Sequence, residues 1–269
     1  MKTTRRVKEI LAESRVETGP READWLVEAA RVRSPDDFEA LAEALARRRA
    51  AGEPLQYVLG RAAFRHLDLE VGPGVMIPRP ETEMLVERAL EVLPRGGTAI
   101  DVGTGSGAIA LSIKHERPDA TVVATDDSIP ALRYARLNRQ RLGIDVTLLH
   151  GEMFRPVARD LRGRVDVVVS NPPYVAESDR SSLPSDVVGH EPHHALFAGN
   201  DGLAVLTRLV VEARPWLRAG GWLVCEIGEG QSHGVAGLLV RHGYEGVGVR
   251  PDLAGRDRIV VGQWTQLPS

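Results

Sequence analysis

Apolar residues within the first 50 positions recur at helical spacing and form three short stripes. The stripes consist of Val7, Ile10 and Leu11; of Trp25, Leu26 and Ala29; and of Phe38, Leu41, Ala42 and Leu45. Spacings of i, i+3, i+4 and i+7 are typical of amphipathic helices, and Ser34 followed by Pro35 resembles a helix start. The pattern predicts a helical unit over residues 1–52, which acts either as a docking module or as a lid on the rest of the chain.

A proline two positions after Gly52 breaks the helical pattern and opens a different segment. Within it, Tyr57–Gly60 and Leu67–Val71 look like the two strands of a hairpin. Further on, Thr82 stands between two acids and suits the start of a helix. Residues 53–83 are therefore predicted to form a β-hairpin linker.

From about residue 98 onwards, apolar runs alternate with helical patterns. The runs predicted as strands are Thr98–Val102, Thr121–Thr125, Val146–Leu149, Val165–Ser170, Trp222–Ile227 and a terminal pair near Gly246–Val249 and Arg258–Gly262. Helices are predicted near residues 107–116, 128–142, 203–217 and 231–242. Because such alternation is typical of parallel sheets with helical connections, residues 84–269 are predicted to form one α/β domain.

A glycine-rich segment, Asp101-Val102-Gly103-Thr104-Gly105-Ser106-Gly107, closes the first of these strands and opens a helix. Glycines allow a tight turn and a close approach to a ligand, and a helix N-terminus favours negative charge. Asp126 ends the next strand, where a carboxylate can accept both hydroxyls of a ribose. These residues indicate a nucleoside-containing cofactor, but they fit S-adenosylmethionine and NAD about equally, because the loop also matches a dinucleotide pattern.

The motif Asn171-Pro172-Pro173-Tyr174 follows the buried run Val165–Ser170. Two prolines remove two N–H donors and fix two φ angles, so the carbonyls of Asn171 and Pro172 are free to accept hydrogen bonds. The turn makes a rigid cradle for a flat NH2 group, such as a carboxamide or a base amine. Glu152, just after the third strand, is placed to reach an adenine amino group. A methyl-transfer site acting on an NH2 group needs such a cradle and a hydride-transfer site does not, which favours S-adenosylmethionine.

Composition places the chain among ordinary globular proteins, with 269 residues, 43% hydrophobic and 26% charged residues, and a net charge of −3. This charge does not favour strong non-specific nucleic-acid binding. The lone Cys225 cannot form an internal disulfide, which fits a reducing cytosol, and no apolar run approaches the ~18 residues of a membrane span. We therefore expect a cytoplasmic monomer with no membrane partner and no direct nucleic-acid partner.

Two clusters of ionisable residues are predicted to have structural rather than catalytic or ligand-binding roles. His190, His193 and His194 are interpreted as loop residues, with a metal site as the minority alternative. The run Arg47-Arg48-Arg49 is interpreted as a solvated helix end favoured by the helix dipole, with a contact to nucleic acid or to an acidic partner as the alternative.

Taken together, these motifs resemble those of the protein-(glutamine-N5) methyltransferases of the HemK type, which modify peptide-chain release factors. The resemblance runs from about Arg21 to Gly262, and two blocks are much more specific than the glycine loop. These blocks are Pro78-Arg79-Pro80-Glu81-Thr82 and Leu253-Ala254-Gly255-Arg256-Asp257. The resemblance implies an α/β fold of class I, Rossmann-like type, with a doubly wound seven-stranded sheet and a small N-terminal helical domain.

The same resemblance implies S-adenosyl-L-methionine as cofactor and assigns residues to two roles. The cofactor-binding set is Asp101, Gly103, Thr104, Gly105, Ser106, Gly107, Asp126, Glu152, Met153, Asn171, Arg79 and Glu83. Within it, Asp126 takes the ribose, Glu152 and Met153 flank the adenine, and Arg79 and Glu83 border the pocket. The catalytic set is Asn171, Pro172, Pro173 and Tyr174, in which Asn171 and the Pro172 carbonyl hold the substrate amide.

The implied reaction is N5-methylation of a glutamine side chain, in the first place the glutamine of the GGQ motif of class-one release factors. The resemblance also implies that the N-terminal helical domain, residues 1–52, recognises the protein substrate. This region is about 20 residues shorter than is usual in the family, which leaves the identity of the protein substrate open. One alternative is a glutamine of a ribosomal protein or of another protein partner. A second is an adenine or cytosine amino-methyltransferase whose proline turn holds a flipped-out base. A third is a non-catalytic cofactor-binding protein.

Overall fold

The computed structural model describes residues 2–14 and 16–266, and its first part is a three-helix unit. Helices α1 (Lys2–Ala12), α2 (Glu22–Arg33) and α3 (Phe38–Ala50) bury the predicted stripes against one another. The indole of Trp25 is an exception, because the residue is 40% exposed. Ser34 occupies the N-cap position of the 3-10 turn Pro35–Asp37, with the proline in the first turn as predicted, but its side chain makes no capping hydrogen bond.

The end of α3 differs from the predicted solvated helix end. Arg49 is buried, and its Nε donates to Glu22 Oε2 at 2.9 Å. The same guanidinium donates to the carbonyl oxygens of Glu17 at 3.0 Å and Glu53 at 3.2 Å. Arg49 therefore ties α3 to α2 and to the segment that follows, and only Arg47 and Arg48 are exposed.

The first half of the predicted hairpin is a helix. Residues Leu55–Leu59 form the short helix α4, which follows Pro54 and ends at Gly60 with a φ of +67°. A run of four residues fits either element by pattern, and the flanking proline and left-handed glycine decide for a helical turn. The hairpin itself consists of β1 (Arg61–Phe64) and β2 (Leu67–Glu70), which pair antiparallel.

The remainder is a seven-stranded sheet with helices on both faces. Its elements are α5 (Glu83–Val92), β3 (Thr98–Val102), α6 (Ala108–Glu116), β4 (Thr121–Asp126), α7 (Ile129–Leu142), β5 (Thr147–His150), β6 (Val165–Ser170), α8 (Ser185–His190), α9 (Ala204–Ala213), β7 (Leu217–Glu226), α10 (Ser232–Arg241), β8 (Tyr244–Pro251) and β9 (Asp257–Trp264). The strand order is β5-β4-β3-β6-β7-β9-β8, and β9 runs antiparallel to both of its neighbours. The predicted doubly wound seven-stranded α/β fold is confirmed.

Strand β7 begins five residues earlier than predicted, at Leu217, which is the last residue of the predicted preceding helix. Its pairing with β6 is irregular, since Val165 pairs with Leu217 and Val167 with Trp222. The interruption lies at Gly220-Gly221, where Gly220 has a φ of +82°. Two adjacent glycines look like a strand boundary in the sequence, but here they accommodate a bulge inside one strand.

The two faces of the sheet carry separate cores that fix where the strands end. Helices α5 and α6 cover one face with Leu85, Ile109 and Leu111, and helix α9 covers the other with Leu206 and Leu209. The strand order reverses between β3 and β6, so the loops after these two strands diverge to opposite faces. Ligands of open α/β sheets bind in the crevice at such a switch point. Within the described residues, no helix is long and apolar enough to cross a membrane.

Candidate active site at the switch point of the sheet

The loop after β3 is a tight glycine turn. Its N–H groups at Gly103 and Thr104 both donate to the Thr125 carbonyl oxygen, at 2.9 and 3.0 Å. Gly105 and Gly107 have φ angles of +59° and +88°, a left-handed conformation that other residues rarely adopt. A Cβ at Gly107 would also lie 2.9 Å from Leu111 Cδ1. The predicted loop therefore depends on its glycines for conformation and for packing.

Asp101 supports this loop from below. Its Oδ2 accepts hydrogen bonds from Thr104 Oγ1 at 2.6 Å and from the Ala110 N–H at 3.2 Å, and its Oδ1 has no partner. Complete burial raises the pKa of Asp101 to about 7. The sequence places Asp101 in the cofactor pocket, whereas the structure uses its carboxyl group to hold the loop in shape.

Asp126 occupies the end of β4, beside the loop. Its Oδ2 accepts the Gly105 N–H and its Oδ1 accepts the Ser128 N–H, each at 2.8 Å. Burial raises the pKa of Asp126, and the two backbone donors act in the opposite direction. The carboxylate is thus held in one orientation by its neighbours, and its remaining lone pairs are available to a ligand.

Three cavities meet around the residues that follow β3, β4 and β6. The first, of about 130 Å³, lies over the glycine loop and is lined by Val75, Met76, Gly103, Thr104, Gly105, Ser106, Asp126, Asn171, Pro173 and His194, among others. The second, of about 330 Å³, is lined by Met76, Arg79, Asn171, Pro172, Pro173, Tyr174, Val187 and Leu196, among others. The third, of about 160 Å³, is lined by Gly103, Asp126, Glu152, Met153, Ser170, Pro172, Pro173 and Arg208, among others. Pro173 lines all three cavities, so the proline turn stands at their junction.

Asn171 is anchored by a chain of polar groups that the sequence did not indicate. Its Nδ2 donates to Thr82 Oγ1 at 3.1 Å, and Thr82 Oγ1 donates to Glu226 Oε2 at 2.6 Å. Tyr174 donates its hydroxyl to Glu226 Oε1 at 3.1 Å. As predicted, Thr82 stands at the start of a helix, because it is the residue before α5 and also ends the 3-10 turn Pro80–Thr82, but its side chain makes no capping hydrogen bond. The available signal was an acid, Glu226, near the end of an apolar strand.

Arg79 connects the linker to the segment that covers the site. Its guanidinium pairs with Glu191 at 2.5 Å, and the other Glu191 oxygen accepts the Ile77 N–H at 3.1 Å. Arg79 lines the second cavity. Glu83 was expected beside it, but its carboxylate accepts the Arg65 N–H at 2.9 Å and thus serves the turn of the hairpin.

Glu152 and Met153 lie at the third cavity, as expected for residues beside a cofactor base, but Glu152 is already engaged. Its carboxylate pairs with Arg208 at 2.5 Å and with Arg155 at 3.1 Å. The hydrogen bond with Arg208 lowers the pKa of Glu152. The predicted contact between Glu152 and an adenine amino group therefore requires the carboxylate to be shared with Arg208.

The three histidines are not clustered as metal ligands. His194 lines the first and third cavities, while His193 stacks on Phe197 with ring centroids 4.4 Å apart. His190 contacts the Asp186 carbonyl oxygen at 3.1 Å. Across residues 2–14 and 16–266, no group of three or more His, Cys, Asp or Glu side chains is arranged to hold a metal ion.

Comparison with known proteins shows which family this chain belongs to. Residues 80–201 match the Methyltransferase small domain family. A protein of Neisseria gonorrhoeae named release factor glutamine methyltransferase is 44% identical over 230 residues, which are 86% of this chain and 84% of that protein. The chain belongs to the release factor glutamine methyltransferase family. It is therefore an enzyme of the protein-(glutamine-N5) methyltransferase class, as the motifs indicated.

Further likenesses agree with this family and with its fold. A release factor glutamine methyltransferase of Geobacter sulfurreducens is 39% identical over 267 residues, covering 94% of this chain and 92% of that protein. The crystal structure of a methyltransferase from Pyrococcus furiosus superposes with a TM-score of 0.56 at 21% identity and covers 76% of this chain and 92% of that chain. This structural likeness supports the methyltransferase fold.

Proposed function

We propose that this enzyme transfers the methyl group of S-adenosyl-L-methionine to the side-chain nitrogen of a glutamine in a peptide-chain release factor, in the first place the glutamine of its GGQ motif. The position of the Asn171–Pro173 turn carries the proposal. It lies where the cavity over the glycine loop meets the cavity that opens past Tyr174. A donor held on one side and an acceptor amide held on the other would meet at this turn.

The first and third cavities fit the donor. A Cβ built on Gly103 would meet no atom within 4 Å, so the space over the loop is open to a ligand that lies against the backbone. Asp126 lines both cavities, where its carboxylate would accept the ribose hydroxyls, and Met153 lines the third cavity, where it would pack beside the adenine. When bound, S-adenosylmethionine supplies a methyl group that is already activated by its sulfonium.

The acceptor needs precise placement because a carboxamide nitrogen is a weak nucleophile. Its lone pair is delocalised into the carbonyl group, so most of the rate must come from orientation and electrostatics. Asn171 Oδ1 and the Pro172 carbonyl oxygen would each accept one N–H of the glutamine amide and direct its nitrogen at the methyl carbon. The nitrogen would gain the methyl group as the methyl–sulfur bond breaks, which leaves a neutral thioether, and one of its two protons would pass to water.

The experiment that tests the substrate uses isotope-labelled S-adenosylmethionine. The enzyme is incubated in separate reactions with release factors, ribosomal proteins, DNA and RNA, and the label is located by mass spectrometry. We expect one methyl group on a release-factor glutamine. A label confined to a ribosomal-protein glutamine would replace the proposed partner, and a label only on nucleic-acid bases would refute the proposed reaction.

The role of Asn171 is tested by replacing it. We expect Asn171→Ala to bind S-adenosylmethionine with an affinity within about threefold of wild type and to lose at least about 100-fold in kcat, because an unoriented amide reacts slowly. The exposed Asn200→Ala is a matched control and should keep its activity. Equal losses in cofactor affinity and turnover would show that Asn171 mainly supports the cofactor pocket.

A further inference from the structure

The chain of polar groups behind Asn171 joins three parts of the fold. Thr82 comes from the turn before α5, Glu226 from the end of β7, and Asn171 from the turn after β6. Thr82 is 4% exposed and Glu226 is 1% exposed, so both side chains are buried. Buried polar groups are retained when each finds a partner of the opposite kind. The direction of each hydrogen bond along this chain therefore matters.

The directions follow from the donor capacity of each group. Thr82 Oγ1 donates its single hydroxyl proton to Glu226 Oε2 at 2.6 Å, which is the direction that an ionised carboxylate requires because it only accepts hydrogen bonds. Thr82 Oγ1 is then left as an acceptor, and the group that it meets at 3.1 Å is the Nδ2 of Asn171. The amide oxygen of Asn171 consequently lies on the opposite side of the side chain.

The groups around Glu226 act on its charge in opposite directions. Burial raises the pKa of Glu226 and is the largest effect, and nearby Glu81 acts in the same sense. The hydroxyls of Thr82 and Tyr174 and the guanidinium of Arg258 favour the ionised form. Arg258 is itself fixed to the Ile227 carbonyl oxygen at 3.2 Å. The carboxylate thus has two hydroxyl donors and one nearby cation.

We propose that Thr82 and Glu226 are positioning residues, which fix the Asn171 amide so that its oxygen, and not its NH2 group, meets the acceptor nitrogen. The inference deepens the proposed function and rests on it, because it assigns an orientation to the residue that holds the glutamine amide. An amide rotated by 180° has almost the same shape. Such a rotation would set an NH2 donor against the NH2 group of the substrate.

The first test removes the hydroxyl while keeping the shape of the side chain. We expect Thr82→Val to lower kcat by about 10- to 100-fold and to leave the affinity for S-adenosylmethionine within about threefold of wild type. Thr82→Ser restores the hydroxyl and should recover most of the turnover. The control is Thr121→Val, because Thr121 begins β4 and lies at the opposite end of that strand from Asp126. Wild-type turnover in Thr82→Val would refute the inference.

The second test reverses the direction of the hydrogen bonds that connect Asn171, Thr82 and Glu226. In Asn171→Asp, two carboxylates compete for the one hydroxyl proton of Thr82, and we expect activity to fall at least about 100-fold. Adding Glu226→Gln supplies an amide N–H to Thr82, which can then donate its own proton to the new carboxylate. We expect the double variant to be at least about tenfold more active than Asn171→Asp. Losses that simply multiply would refute the inference, because independent sites behave additively.

A measurement that needs no turnover separates this inference from the proposed function. The side-chain amide of Asn171 gives its own proton–nitrogen NMR signals, and hydrogen bonding to Thr82 should shift one of the two protons in the wild-type enzyme. We expect that shift to disappear in Thr82→Val and to remain in Thr82→Ser. If wild type methylates no glutamine, the proposed function fails, and this signal still decides whether Thr82 orients the Asn171 amide. An amide signal unaffected by Thr82→Val would refute it.

Discussion

Hydrogen bonds from Arg79 and the Ile77 N–H to Glu191 join the two sides of the first cavity. Removing them tests whether the cavity must be held closed in this way to bind the cofactor. Glu191 precedes Pro192 and His194, which line the first cavity, while Val75 and Met76 of the linker line the same cavity from the other side. Glu191 joins the two sides through Arg79 and the Ile77 N–H. The perturbation is Glu191→Ala, which removes both connections without touching the glycine loop.

The size of the effect can be worked out from burial. Ile77 is buried, and its N–H would lose its acceptor, which costs about 1–3 kcal/mol. The Arg79 side chain is 30% exposed and regains water, so loss of the ion pair costs only about 1 kcal/mol. The combined loss is about 2–4 kcal/mol. If closure is required for binding, cofactor affinity falls by at most about 700-fold, because each 1.4 kcal/mol is a factor of ten.

The assay is isothermal titration calorimetry with S-adenosylmethionine, supported by thermal unfolding of the same samples. We expect the Kd of Glu191→Ala to rise about 10- to 100-fold and that of Glu191→Gln to rise less, since a glutamine oxygen still accepts the Ile77 N–H. The control is Glu91→Ala, because Glu91 also pairs with an arginine but its side chain is 54% exposed. It should leave both the Kd and the melting temperature unchanged.

The decisive outcome concerns affinity rather than stability. If Glu191→Ala lowers the melting temperature but binds S-adenosylmethionine as tightly as wild type, the bond stabilises the fold without contributing to closure. The reasoning would then be refuted, because both sides of the cavity would hold the cofactor independently of the bond between them.

Two further predictions concern buried charges. Arg49→Met leaves Glu22 buried without its cation, and we expect a loss of about 3–5 kcal/mol in the stability of the helical unit, measured by denaturant unfolding; a loss below about 1 kcal/mol would contradict this. For Asp101, burial raises the pKa from 3.8 to about 7, so the folded state holds a proton that the unfolded chain releases. The ionisation of Asp101 therefore lowers the free energy of unfolding as pH rises from about 4 to 7, and above that pH its effect is constant. Asp101→Asn should lack this component in unfolding free energies compared at pH 5 and 7.5, and identical pH slopes would refute the assignment.

Strands made of continuous apolar runs could be predicted closely from sequence. Thr98–Val102 and Val165–Ser170 have the predicted bounds, because each is buried in the sheet and ends at a distinctive loop. Tyr57–Gly60 could not be assigned by the same argument, since four residues show no usable period. There, the proline and glycine at the two ends determined a helix.

The site was predictable only where its residues are close in the chain. The glycine loop and the proline turn each carry their own conformational signal, and both lie at the predicted edge of the sheet. Thr82 and Glu226 are 144 positions apart, and their contact depends on how the linker packs against the end of β7. The buried role of Arg49 was missed for a similar reason, because its partner lies on another helix.

The linker, residues 53–83, also forms one wall of the first cavity, and this restricts how related enzymes can be recombined. Val75, Met76 and Pro78 line the first cavity, and the buried Tyr57 hydroxyl donates to the Val75 carbonyl oxygen at 2.5 Å. A chimera spliced at residue 84 would therefore import a foreign wall together with a foreign helical unit. Exchange of the helical unit without disturbing the first cavity requires a splice upstream of Gly52.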